Sequence, residues 1–374
     1  MTMRIAPAII PDVRIALLTN RLVPYRMPLY ARLAAEHDLE VLCYGGGERY
    51  TAAGTRDDPA ALAAAPFPAR ALDGWRGALT AGRNHDLVIA GYAGGPVLPA
   101  AYLGARRHRR RFVLWASVWT QPRSLTNDLA VPVTRHIYRH ADAVIAYGEH
   151  VRRYVAPIRG RDEDIVIAPQ SVEPDLFGRA VDGEEIAAFR ARHALGDGPL
   201  MLFAGRLAQP KGVGVLARAW PQVSGVATLI VAGDGPLRAE LERLPGVRVL
   251  GALTREELVV ADAAATALLV PSIPTPRFLE PWGLVVNEAM HQGTAVIATT
   301  AVGAVAGGLV CDGETGLVIA PGDPAGLAAA IDRLLADPDL RERLGAAGRA
   351  AVSAYTYEAM AAAFARALAL ARAR

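Results

Sequence analysis

Two stretches of this chain place charged side chains where an anion and a hydroxyl-rich ligand could be held. The first is Gly205-Arg206-Leu207-Ala208-Gln209-Pro210-Lys211-Gly212. Arg206 and Lys211 stand five positions apart across a turn. One offers a planar fork and the other a point charge, so both can converge on one diphosphate. Gly205 permits close backbone approach and Gly212 a tight entry to a following helix, whose first N–H groups add to an anion site. Lys211 is also the single lysine among 40 basic residues, the other 39 being arginine. Where every other site has taken arginine, the one remaining lysine suits a position that needs a compact ammonium on a thin stem. The spacing is not that of a P-loop, and two charges on a solvated turn would look the same in isolation. The second stretch is Glu280-Pro281-Trp282-Gly283-Leu284-Val285-Val286-Asn287-Glu288. Glu280 precedes a helix opened by Gly283, and Glu288 lies about one turn inside it, so each carboxylate can accept hydrogen bonds from hydroxyls. Backbone N–H groups of Trp282 and Gly283 can meet ligand oxygens there. The alternative for a lone glutamate at this place is complementation of the helix dipole.

The elements that must position these residues alternate. Runs at 13–18, 39–44, 86–90, 111–116, 143–147 and 165–168 read as strands, with a helix at 28–36 and Gly45-Gly46-Gly47 closing the second strand. The pattern restarts with strands at 200–204, 228–232, 247–251, 267–270, 295–298 and 316–319, and with helices at 213–220 and after Gly283. Such alternation predicts parallel βαβ units in two Rossmann-like doubly wound domains joined near residues 170–198. Ligands bind such sheets at the carboxyl ends of strands, where both charged stretches fall. An alanine-rich helix with Met360, Phe364 and Leu368 at helical spacing ends the chain.

Bulk properties narrow the function classes. The 374 residues, 52% hydrophobic and 21% charged, can fill two cores. A formal charge of +3 and the absence of any RNA-module or zinc-finger spacing argue against nucleic acid. Cys43 and Cys311 form no disulfide framework, residues 1–11 show no signal-peptide pattern, and no uninterrupted apolar run reaches 18 residues. A cytoplasmic protein is expected, with peripheral attachment at the inner membrane face as a further expectation. Residues 1–172 hold 22 arginines against 15 acidic residues, a balance of +7, while residues 173–374 balance at −4. The basic half contains Arg106-Arg107-His108-Arg109-Arg110-Arg111, which is either a solvated helix end or a contact for an anionic acceptor or membrane. Asp162-Glu163-Asp164 and Asp337-Pro338-Asp339 have a metal-binding Asp-x-Asp spacing but sit in loop contexts, and no metal site is expected.

Taken in order, several segments resemble the retaining glycosyltransferases of family 4. They are Ile167-Ala168-Pro169-Gln170-Ser171-Val172-Glu173-Pro174-Asp175-Leu176-Phe177, Gly205-Arg206 with Lys211-Gly212, Ala232-Gly233-Asp234-Gly235-Pro236, Pro271-Ser272 with Glu280 and Glu288, Gly293-Thr294-Ala295-Val296-Ile297-Ala298, and Asp312-Gly313-Glu314-Thr315-Gly316-Leu317. The resemblance implies the α/β GT-B fold, two such domains facing a central cleft. An acceptor-side domain would span residues 1–172 and a nucleotide-sugar domain 173–354, with a helix at 355–374 returning to the first. It implies that Arg206 and Lys211 bind the donor diphosphate, that Glu280 holds donor-sugar hydroxyls, and that Glu288 holds the ribose. Gly205 and the backbone of Trp282, Gly283 and Leu284 would assist, and Val249 and Leu250 would flank the base. The implied donor is a UDP or GDP sugar, the acceptor a glycan, a lipid-linked sugar or a small molecule, and no cofactor is required. Transfer would proceed with retention, the acceptor attacking the face from which the phosphate leaves. Three places depart from the family pattern: Thr19 to Arg26 replaces a glycine pair, Ser117 stands where a histidine often falls, and Gln170-Ser171 replaces an Asn-Gly turn. Arg26, Ser117 and Trp119 are the acceptor-side candidates. Rival readings are a dinucleotide oxidoreductase, which lacks its glycine fingerprint between Thr19 and Arg26, a GT-B phosphorylase or epimerase, and a non-catalytic nucleotide-sugar binding module.

Overall fold

Short runs of Val, Ile, Leu and Ala, bounded by glycine and turn residues, form parallel strands buried on both faces. The computed structural model describes residues 13–45, 62–91 and 95–374. Residues 1–11, Gly46 and Gly47, read above from sequence, lie outside the described residues. The chain divides into two units, residues 1–170 with 357–374, and residues 171–356.

In the first unit β1 (Arg14–Thr19), β2 (Asp38–Cys43), β3 (Ala69–Ala71), β4 (Leu87–Gly91), β5 (Arg111–Ala116), β6 (Ala143–Ala146) and β7 (Ile165–Ile167) form one sheet in the order β3-β2-β1-β4-β5-β6-β7. In the second, β8 (Leu200–Ala204), β9 (Thr228–Ala232), β10 (Val247–Gly251), β11 (Ala267–Val270), β12 (Ala295–Thr299) and β13 (Leu317–Ile319) form another, ordered β10-β9-β8-β11-β12-β13. Both are doubly wound. The strand order reverses at β1/β4 in the first sheet and at β8/β11 in the second, and each reversal opens a crevice at the strands' carboxyl ends. Strand β3 is the one described strand that the sequence reading lacks. Its Ala-Arg-Ala has no apolar run, and it is an edge strand paired only with β2.

The final helix, Tyr357–Arg372, belongs to the first unit. Its buried stripe Tyr357, Met360, Phe364 and Leu368 covers the sheet face carrying Ile15, Leu17, Val113 and Ile145. The Phe364 ring meets Trp115 edge-on with centroids 5.0 Å apart, and the Tyr357 hydroxyl donates to the Tyr25 carbonyl at 2.7 Å. The stripe follows from apolar residues three and four apart. Because Phe364 is fully buried, Phe364→Ala is expected to destabilise the first unit by about 3–5 kcal/mol. Urea unfolding followed by tryptophan fluorescence checks this, and a loss below about 1 kcal/mol would mean the helix is not part of that core.

Candidate functional site

In the second unit the loops after β8, β9 and β11 meet backbone to backbone. Gly233 leaves β9 against Gly205, and a Cβ on Gly233 would lie 1.9 Å from the Gly205 carbonyl oxygen. Gly212, left-handed at φ 75°, ends the turn Gln209–Lys211 and starts the helix Val213–Ala219. A Cβ on it would lie 1.8 Å from the Pro271 carbonyl oxygen. The loop after β8 is thereby pressed onto the loop after β11, and Lys211 Nζ reaches Glu280 Oε2 at 2.5 Å. Glu280 is buried, Lys211 half-buried and Arg206 exposed on the same loop.

Glu280 is fixed from both sides. Its backbone pairs with Val302 in an isolated bridge, its carbonyl accepts from Gly303 N–H at 3.1 Å, and Ser272 Oγ lies 3.5 Å from its carboxylate. Gly303 allows this approach, since its Cβ would lie 2.1 Å from the Pro281 carbonyl oxygen. The Trp282 side chain is buried and its indole N–H donates to Asn287 Oδ1 at 2.7 Å, so only its backbone can serve a ligand. Gly283, at φ 90°, and Leu284 lead into the helix Val285–Gln292, whose first N–H groups lack partners within the helix. In β10 the pairing slips between Val249 and Gly251, leaving Leu250 opposite no residue of β9. This bulge re-aims the backbone where the sequence reading placed the base contact.

Glu288 lies half-buried in Val285–Gln292, and burial pushes its carboxyl up to about 7, with Arg255 opposing the shift. Asp262, in the helix Arg255–Ala264, is a site residue that sequence reading missed. It is 1% exposed, its Oδ2 has no hydrogen-bond partner, and burial raises its carboxyl well above the usual range, with the Glu288 charge adding to the shift. Two carboxyls placed in this way cannot both ionise cheaply.

In the first unit a cavity of about 420 Å³ opens at the strand-order reversal, at the ends of β1, β4 and β5. Arg26 and Ser117 line it. Trp119 is not among the lining residues, and its ring packs against His150 at a centroid distance of 5.0 Å. Other candidate features have structural partners. Arg106 and Arg111 pair with Asp142 at 2.8 and 3.3 Å, and Arg110 pairs with Asp86 at 2.6 Å, while Arg107 and Arg109 are exposed. Asp164 is held by Arg159, Arg161 and Arg374, Asp162 by Arg152, and Asp337 accepts from the Leu340 N–H as a helix cap.

The family model for group 1 glycosyl transferases matches residues 198–337. The chain is 30% identical over 230 residues to the alpha-D-kanosaminyltransferase of Streptomyces kanamyceticus, covering 59% of this chain and 58% of that protein. It is 30% identical over 280 residues to the GDP-mannose-dependent alpha-(1-6)-phosphatidylinositol monomannoside mannosyltransferase of Mycolicibacterium smegmatis, covering 71% of this chain and 72% of that protein. The chain thus spans under two thirds of the first relative's length and more of the second's. Among solved structures, Anabaena HepE in complex with UDP and glucose superposes with a TM-score of 0.78 at 20% identity, covering 96% of this chain and 99% of that one. That likeness, with the two parallel sheets, shows the GT-B fold.

The carboxyl of Glu288 sets a pH dependence. Its folded value near 7 lies above the ordinary 4.5, so the folded chain holds a proton that the unfolded chain has lost between those values. Stability therefore falls as pH rises from 4.5 to 7 and stays lower above 7. Glu288→Gln is expected to stabilise the ligand-free chain at pH 8 by on the order of 3 kcal/mol and to leave it nearly unchanged at pH 4.5. Equal effects in urea unfolding at both pH values would refute the assignment.

Proposed function

The chain belongs to the group 1 glycosyltransferases, and on that premise we propose that it moves a sugar from a nucleoside-diphosphate sugar to an acceptor hydroxyl with retention at the anomeric carbon. The observation that carries the reading is the Lys211–Glu280 contact at 2.5 Å, at the strand-order reversal of the second sheet. A cation for a diphosphate and a carboxylate for the attached sugar's hydroxyls stand side by side there. Arg206, on the same loop, adds a second cation. Glu288 supplies the ribose contact, and the bulged backbone at Val249 and Leu250 flanks the base. The Mycolicibacterium relative is named for GDP-mannose and the Anabaena structure holds UDP, which supports a UDP or GDP donor.

Catalysis follows from charge and position. As the bond between the anomeric carbon and the phosphate oxygen lengthens, negative charge grows on the diphosphate, where Arg206 and Lys211 meet it. Glu280 fixes the sugar ring through its hydroxyls. The acceptor oxygen attacks the face that the phosphate leaves, and its proton passes to a phosphate oxygen. This route uses no protein nucleophile, and two side-chain cations do what a divalent metal would otherwise do. Among the described residues no helix is long and apolar enough to cross a membrane. A cytoplasmic enzyme with peripheral membrane contact would use the exposed Arg107 and Arg109.

A UDP or GDP sugar present at 100 times its dissociation constant should add about 2.7 kcal/mol of stability. Lys211→Ala should abolish that gain and lower turnover about a hundredfold, the equivalent of about 3 kcal/mol of transition-state stabilisation. Undiminished donor binding by the variant would remove Lys211 from the site, and proton NMR of the product showing inverted anomeric configuration would remove the retaining mechanism. For the membrane contact, joint replacement of Arg107 and Arg109 by serine should reduce sedimentation with phosphatidylserine vesicles at least threefold at low salt, in line with ~1 kcal/mol per arginine. Unchanged sedimentation would end that idea.

A further inference from the structure

Arg26 is 5% exposed, yet its guanidinium has only neutral partners among the described residues. Nη2 donates to the Tyr147 hydroxyl at 2.8 Å and to Gln170 Oε1 at 2.7 Å, and Nη1 lies 3.7 Å from Met360 Sδ. The guanidinium carbon stands 4.7 Å from the centroid of the Trp115 ring and 5.2 Å from those of Tyr25 and Tyr147. None of these groups is a counter-anion. Burial raises the hydroxyls of Tyr30, Tyr44 and Tyr147 above the ordinary phenol range, so they stay neutral. Arg159 shows the usual alternative in this same unit: equally buried, it is paired with the buried carboxylate of Asp164. A buried charge is tolerated when it is paired, and arginine cannot escape by losing its proton. The contacts of Arg26 use three of its five N–H donors.

What Arg26 does face is the cavity of about 420 Å³ at the β1/β4 reversal, where it is joined by Thr19, Asn20, Arg21 and Ser117. That volume takes a ring-sized group with a charged substituent, and a strand-order reversal is where a doubly wound sheet binds ligands. We propose that this cavity binds an oxyanion, a phosphate or a carboxylate, carried by the acceptor, with Arg26 as its counter-ion and the Thr19, Asn20 and Ser117 side chains as polar neighbours. The word acceptor rests on the glycosyl-transfer reading, and the oxyanion site rests on Arg26 alone. Arginine's fork matches two oxygens of either group.

The test is calorimetric titration of the full chain, and of its Lys211→Ala variant, with inorganic phosphate, sodium acetate, UDP and GDP as probes. Phosphate held by the Arg206–Lys211 loop disappears in Lys211→Ala, whereas phosphate held by Arg26 persists there. Arg26→Met in that background should weaken the persisting binding at least tenfold. Asn20→Asp should weaken it at least fivefold, because it sets a carboxylate at the cavity while keeping the acceptor that Arg21 N–H uses at 3.0 Å. Asn20 is exposed, so this second variant decides the matter if Arg26→Met does not fold. Acetate binding with the same variant dependence and no phosphate binding supports the carboxylate arm, and the reverse supports the phosphate arm. Wild-type affinity in both variants, or no persisting binding of either anion, overturns the proposal. UDP and GDP binding are read separately: binding of either with no Arg26-dependent anion leaves the transferase reading standing, while the absence of both removes that reading and not the anion site.

Discussion

The loop after β8 can lie against the loop after β11 because Gly212 has no side chain. Any Cβ there would occupy the space of the Pro271 carbonyl, and the left-handed φ of 75° is itself one that L side chains resist. The same loop meets the end of β9 through Gly233 and Gly205, again at a separation that no Cβ permits. The backbone separation of the two loops that carry Lys211 and Glu280 is therefore set by contacts that a side chain on Gly212 would forbid. Every other feature of the second unit's site hangs on this arrangement. Gly212 starts a helix immediately after Lys211, and Gly303 lets the strand-like segment at Glu280 close against Val302.

Holding a buried carboxylate beside a partly exposed ammonium has a consequence for ligand choice. Glu280 is desolvated, and Lys211 and Ser272 are among its partners. A ligand anion that draws Lys211 away takes the paired cation from that buried carboxylate, which is costly. A ligand that brings hydroxyl donors beside its anion makes good the loss as it causes it. On the proposed reading the pair would favour a diphosphate with a polyol attached over a bare phosphate. This is specificity by exchange of partners, not by added contacts.

Much of this was legible in the sequence, for a physical reason. Parallel strands buried on both faces are short unbroken apolar runs, and loops that follow them are short, so charged residues just after a run fall at the ligand end of the sheet. Lys211 and Glu280 are 69 positions apart, yet each sits at a fixed offset from its own strand, and adjacent strands β8 and β11 bring the offsets together. What could not be read depends on partners without such an offset. Strand β3 has no apolar signature because it is an edge. Arg106, Arg110 and Arg111 read as part of one basic run, but all three pair with two carboxylates, Asp142 and Asp86, near the starts of neighbouring strands. Asp262 reads as a polar residue of an ordinary helix, and only its burial, with its carbonyl capped by the Thr294 hydroxyl at 2.6 Å, reveals an acid beside Glu288. Tyr147, Gln170 and Met360, which surround Arg26, come from 121, 144 and 334 positions away.

Arg26 and Lys211 solve opposite problems with the same sign of charge. Lys211 is half-exposed and has an internal counter-ion, so an anion must compete with Glu280 for it. Arg26 is buried among neutral rings and hydroxyls, with no internal counter-ion among the described residues. The choice of residue type fits each case. A lysine can swing a compact charge between a carboxylate and a diphosphate during a reaction, whereas an arginine packed against Trp115 and hydrogen-bonded to Tyr147 and Gln170 presents a held fork. A site whose charge must follow the chemistry and a site that must only recognise an anion call for these two different side chains. With arginine at each of the other 39 basic positions, a lysine at 211 suits a place where a mobile charge is useful.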